Sequence, residues 1–152
     1  MLIKIHKAIV DKLRAELKGT EFEKTPIIPR DLSEGFSRPT IKIDIESSNL
    51  SNENYNYHGR NISIEIHFFA SDINKYKIEN MKVQELIEQA FIDGVRIDEK
   101  CFVNIEEVEC VTSDTVLIAT FDFDIMFDKP KVVRERNEGE FMEDLELELE
   151  RG

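Results

Sequence analysis

The chain has 152 residues, 41% of them hydrophobic, which suits one domain burying about 68–70% of its unfolded surface. Its formal charge of −12 argues against nonspecific DNA binding, which relies on Lys and Arg to displace phosphate counterions. No apolar run approaches the length of a bilayer-spanning helix. The opening Met1–Lys7 also lacks the apolar stretch of a signal peptide, so a reduced, cytoplasmic setting is expected.

In chain order, Ile5, Ile9, Leu13 and Leu17 form an i, i+4 line that predicts an amphipathic helix over residues 2–18. Leu2 and Ala8 lie beside that line, and Gly19 is placed to stop the helix. Phe22–Ile28 reads as a short strand ended by Pro29, and Arg30–Pro39 as a turn-rich connection around Gly35. Thr40–Glu46 alternates, with Ile41, Ile43 and Ile45 inward and Lys42, Asp44 and Glu46 outward. Residues Ser47–Arg60 are polar and rich in Ser and Asn, and they predict a long loop between two antiparallel strands.

From Arg60 to Pro130 the hydrophobic period changes twice. Ile62, Ile64, Ile66 and Phe68 alternate as a strand. Val83, Leu86, Ile87 and Ala90 then take helical spacing, predicting a helix from Ile73 to Asp93 capped by Asp72 and closed by Gly94. Two strands follow, Cys101–Val111 and Thr115–Asp128, joined by a tight turn at Ser113-Asp114. In the first of these the apolar phase slips between Ile105 and Val108, so a β-bulge is expected at Glu106-Glu107. The fold class expected is α+β, a mainly antiparallel sheet of four to five strands flanked by two helices. The domain is expected over residues 1–130. Residues 131–152 form an acidic extension in which Leu145, Leu147 and Leu149 alternate with glutamates, and such composition predicts flexibility or order on a partner.

Candidate chemistry is sparse. Cys101 and Cys110 fall nine apart on one expected strand, beyond disulfide reach. Asp122, Asp124 and Asp128 share one face of the last strand, where a hard cation could bridge neighbouring carboxylates, with Glu106 or Glu107 adding a ligand. The plainer reading is the solvated side of a half-buried sheet. His6, His58 and His67 lack metal-ligand spacing, and neither a nucleophile motif nor a glycine-rich phosphate loop occurs. No catalytic residue, cofactor or metal is therefore assigned. Tyr55, Tyr57 and Arg60 on the polar segment, with Arg30 and Arg38 flanking the Gly35 turn, are the candidates for subunit interaction. Aromatic residues and arginine supply large contact area with directional polar ends.

Three segments and the closing hairpin carry a resemblance. They are the opening helix Ile3–Leu13, the turn Leu32-Ser-Glu-Gly-Phe-Ser-Arg-Pro-Thr-Ile41, the strand Ile62-Ser-Ile-Glu-Ile-His-Phe-Phe69, and the hairpin ending Phe121-Asp-Phe-Asp-Ile-Met-Phe127. Together, over about residues 1–130, they resemble the phage tail terminator family of prophages and phage-tail-like particles in low-GC Gram-positive bacteria. The resemblance implies a structural subunit rather than an enzyme. It implies a homo-hexameric ring on the head-proximal end of the tail tube, which stops tube growth and offers a surface for joining the head or finishing a contractile sheath. Its implied partners are further copies of itself, the tail tube protein, and sheath or head–tail connector proteins. Sequence-specific nucleic acid and membrane are not among them. The implied location is the bacterial cytoplasm during assembly, then the virion or tail-like particle. The readings set beside it are a metal-dependent enzyme using the strand carboxylates, and a neck or head-completion protein.

Overall fold

The computed structural model describes residues 1–28 and 37–128, and divides the chain into two units. The larger comprises residues 1–51 and 59–125; among described residues the smaller comprises 52–58 and 126–128. The elements run α1 (Leu2–Leu17), β1 (Ile27–Ile28), β2 (Thr40–Asn52), β3 (Tyr57–Phe69), α2 (Lys77–Phe91), β4 (Val95–Asp98), β5 (Cys101–Val103), β6 (Glu109–Ser113) and β7 (Val116–Asp128). Five strands form one sheet in the order β1-β2-β3-β7-β6, and β4 pairs antiparallel with β5 as a separate two-stranded sheet. The class is α+β, with a mostly antiparallel main sheet and two helices.

Helix α1 follows its apolar line closely. Ile5, Ile9, Leu13 and Leu17 are all buried, each contributing about 1.5–3 kcal/mol by leaving water. The helix ends beside Gly19, whose φ of +84° suits a residue without a Cβ. On the sheet, Ile41 and Ile43 of β2, the even positions Ile62–Phe68 of β3, and Leu117, Ala119, Phe121, Phe123 and Ile125 of β7 enter the same core. Their intervening neighbours, among them Lys42, Asp44, Ser63, Glu65 and His67, occupy the other face at intermediate exposure. Helix α2 supplies Val83, Ile87, Ala90 and Phe91 to that core, with the Phe91 ring stacked 4.8 Å from Phe121.

Four expectations are corrected. The first strand is only Ile27–Ile28, pairing parallel with β2. Residues 20–25 instead make successive turns, with Glu23 N–H donating to the Thr20 carbonyl and Thr25 N–H to the Phe22 carbonyl, at 3.2 and 3.0 Å. Phe22 reaches the core from those turns and meets Phe68 edge-on at 5.8 Å.

The expected long loop over residues 47–60 is a β-hairpin: β2 and β3 are 13 residues each and leave only Glu53–Asn56 between them. The far end of β2 has no inward apolar residues because both its sides are largely exposed, so the backbone ladder sustains it without hydrophobic alternation.

The second helix starts at Lys77, not Ile73. Asp72 does cap, but it caps a turn: its Oδ1 accepts from Asn74 N–H at 2.8 Å and its carbonyl from Lys75 N–H at 3.0 Å. With Ile73 51% exposed, burial offers nothing for extending the helix backwards. At the other end, Gly94 closes the helix as expected, with φ +95°.

Strand β4 was not anticipated, and the strand expected over Cys101–Val111 is broken. Residues 104–108 leave the ladder, separating β5 in the small sheet from β6 in the large one. The phase slip at Glu106-Glu107 therefore marks a passage between sheets rather than a bulge within one. Ile45 packs against the core as expected, at intermediate exposure. The extension from residue 131, Pro29 and the Gly35 turn lie outside the described residues.

Candidate interaction surface

Two surfaces, one in each unit, combine exposed apolar area with directional polar groups. The first is the hairpin tip of the smaller unit. Asn54 organises it: its Oδ1 accepts from Asn56 N–H at 2.9 Å and from Tyr57 N–H at 3.1 Å, an Asx-type turn. Glu53 and Asn54 N–H both donate to the Tyr57 carbonyl, at 3.1 and 3.3 Å, closing the ladder. This leaves Tyr55 90% exposed and Tyr57 39% exposed on a turn of fixed shape. Within the same unit His58 meets Phe127 edge-on at 5.8 Å, while Met126 is exposed.

The second surface lies on the larger unit, where the Lys4, Lys7, Ala8, Asp11 and Lys12 stripe of α1 faces β4 and β5. Val95, Arg96, Ile97 and Phe102 form the opposite wall of a groove. Lys7 pairs with Asp11 at 2.7 Å and Lys4 with Asp98 at 3.4 Å. The Lys100 amide, and after it the Lys4 ammonium, hold the Asp98 carboxyl below its ordinary value. The Arg96 guanidinium lies 5.5 Å from the centre of the Phe102 ring and donates to the Asp98 and Glu99 carbonyls. Phe102 itself is 48% exposed.

The five candidates from the sequence are not gathered into one place. Tyr55 and Tyr57 share the hairpin tip. Arg38 donates to the Ala70 carbonyl at 3.1 Å with its guanidinium 5.8 Å from the Phe69 ring, so it braces the chain entering β2 against the end of β3. Arg60 donates to Ser48 Oγ at 2.7 Å across the hairpin, while its Nε is buried with no hydrogen-bond partner among the described residues. Arg30 lies outside the described residues. The groove beside α1 was missed, and a signal for it was present in Lys4, Lys7 and Lys12 and in the apolar residues Val95, Ile97, Phe102 and Val103. Their proximity depends on β4, which sequence periodicity did not reveal.

The alternative metal site does not form among the described residues. Asp122 and Asp124 are exposed on β7, and Asp124 accepts from Asn61 Nδ2 at 2.8 Å across the sheet. Glu106 and Glu107 are exposed in the irregular 104–108 segment, and no group of three potential ligands converges among described residues. Cys101 and Cys110 lie on different strands as free thiols. Burial pushes the Cys110 thiol up to about 11, so it is protonated and weakly nucleophilic at neutral pH.

The described residues thus form a mostly antiparallel α+β scaffold with two surfaces that combine exposed apolar and polar groups. The chain matches the family model described as phage tail terminator protein over residues 4–138, and it belongs to that family. It is a structural protein of phage-type tails, not an enzyme, and it is a component of a virion or tail-like particle that associates with other tail proteins. Among solved structures it is similar to a chain of the "Virion of native gene transfer agent (GTA) particle". The TM-score is 0.51 at 7% identity, covering 82% of this chain and 95% of that one, a likeness of fold. No curated protein sequence matches the chain.

Proposed function

We propose that identical copies of this chain close into a hexameric ring on the head-proximal end of a tail tube. The ring ends tube growth and presents the surface to which the head, or the top of a contractile sheath, is joined. A ring of this kind requires head-to-tail contacts between two different patches of the same chain, closing under rotation. The observation that supports the reading, beside family membership, is the aromatic hairpin tip: Tyr55 and Tyr57 are held outward by the Asn54 turn. Rigid aromatic anchors lose little entropy on docking, which favours them at interface centres. The charge of −12 suits a conduit that DNA must traverse without adhering.

The test is multi-angle light scattering of the purified chain, with electron microscopy of tail tubes grown in its presence. The expected results are a ring of six and tubes of uniform length. Replacing Tyr55 and Tyr57 together by Ser should weaken ring formation or tube capping, while circular dichroism and the thermal transition stay unchanged. A chain that remains a monomer at all concentrations and leaves tube length unaltered would refute the proposal.

A further inference from the structure

We infer that the groove between α1 and the β4–β5 sheet receives the acidic C-terminal segment, residues 138–150, of a neighbouring copy. The inference rests on the ring reading for its second copy and adds the contact that would join neighbours. The groove is an exception to the charge of the whole molecule: Lys4, Lys7, Lys12 and Arg96 line it with Asp11, and Asp98 pairs with Lys4 beside it, so cations outnumber carboxylates there in a chain of net charge −12. The four α1 residues Lys4, Lys7, Asp11 and Lys12, with Ala8, fall at helical spacing on one stripe, so the cations form a row rather than a scatter. Between the cations the lining is apolar, with Ala8, Val95, Ile97 and the half-exposed Phe102 ring.

The C-terminal sequence is the counterpart. Residues 138–150 hold Glu138, Glu140, Glu143, Asp144, Glu146, Glu148 and Glu150 with no Lys or Arg, and Leu145, Leu147 and Leu149 alternate with the last glutamates. An extended segment of that pattern presents leucines to one side and carboxylates to the other. Leucines match the Ala8, Ile97 and Phe102 lining, and carboxylates match Lys7, Lys12 and Arg96. The 16 residues between Asp128 and Leu145 give the segment a reach of up to about 55 Å from the end of β7. The edge strand β6 is a poorer acceptor, because Glu109 on it and Glu88 both act on Cys110 as negative charges and would repel an acidic strand.

The test mixes intact chains labelled with 14N and 15N, applies a zero-length carbodiimide cross-linker, and reads the products by mass spectrometry beside light scattering. Mixed-isotope cross-links from Lys7 or Lys12 to Glu146, Glu148 or Glu150 are expected. The double variant Lys12→Glu, Arg96→Glu should weaken association at least roughly tenfold, and partnering it with Glu146→Lys, Glu148→Lys chains should restore association. A hexamer without these cross-links, or one whose stability is unchanged by the double variant, overturns the inference and leaves the ring reading intact. Cross-links confined to chains of one isotope overturn it as well. Mixed-isotope cross-links in an open dimer uphold the docking and overturn the ring.

Discussion

Gly19 and Gly94 look alike in the sequence, each following an amphipathic helix, and both have positive φ, +84° and +95°. Their surroundings differ. A Cβ at Gly19 meets nothing among the described residues within 4 Å, whereas at Gly94 it would clash with the Val103 carbonyl oxygen and sit 2.8 Å from the Phe102 ring. Gly19→Ala should therefore lose about 1 kcal/mol, the cost of the left-handed backbone alone. Gly94→Ala should lose at least about 2 kcal/mol, because the β4–β5 pair must also move. Urea denaturation of the two variants measures this, and equal losses would mean that φ alone sets the cost. Asn80 makes the same point for a polar residue. It is 3% exposed, and its Nδ2 donates to the Thr115 carbonyl at 3.2 Å, tying α2 to the β6–β7 turn. A lone Asn among helical residues carries no sequence signal for that role, since its partner lies 35 positions away.

At the scale of elements, the β6–β7 hairpin was legible. Its turn falls at Asp114-Thr115, one residue beyond the expected Ser113-Asp114, with Ser113 facing Val116. Both turn residues have positive φ, 52° and 70°, a geometry that fits this hairpin but suits a β-branched threonine poorly. Thr115→Gly should raise stability by about 0.5–1 kcal/mol, seen as a Tm increase of about 1–4 °C. A fall in Tm would show that threonine is held there by compensating contacts. Elements with an apolar period, α1, the inner part of β3, α2 from Val83 and β7, were read correctly because each buries one face. The outer hairpin was mistaken for a loop because its stability comes from backbone pairing and an Asn54 turn, neither of which needs a hydrophobic pattern. Strand β4 was missed for a related reason: four residues are too few to display a period.

At the scale of the molecule, charge is the property that composition alone specifies. With a net −12, the chain should leave the anisotropy of a labelled DNA duplex unchanged up to about 100 μM protein in about 0.15 M salt, where nonspecific binders already associate. A rise that collapses with added salt would refute this and undercut the picture of a non-adhesive conduit. The sequence by itself determined the α+β class, the two helices, the core faces of the long strands and the resemblance to tail terminators, since all of these depend on local periodicity and short motifs. Only the tertiary structure decided that the tyrosines crown a formed hairpin, that Arg38 and Arg60 brace strands, and that three lysines of α1 meet Arg96 and Phe102 across a groove. Those facts depend on which distant segments are brought together. Periodicity says which side of an element turns inward, but pairing across tens of residues decides what its outward side stands beside.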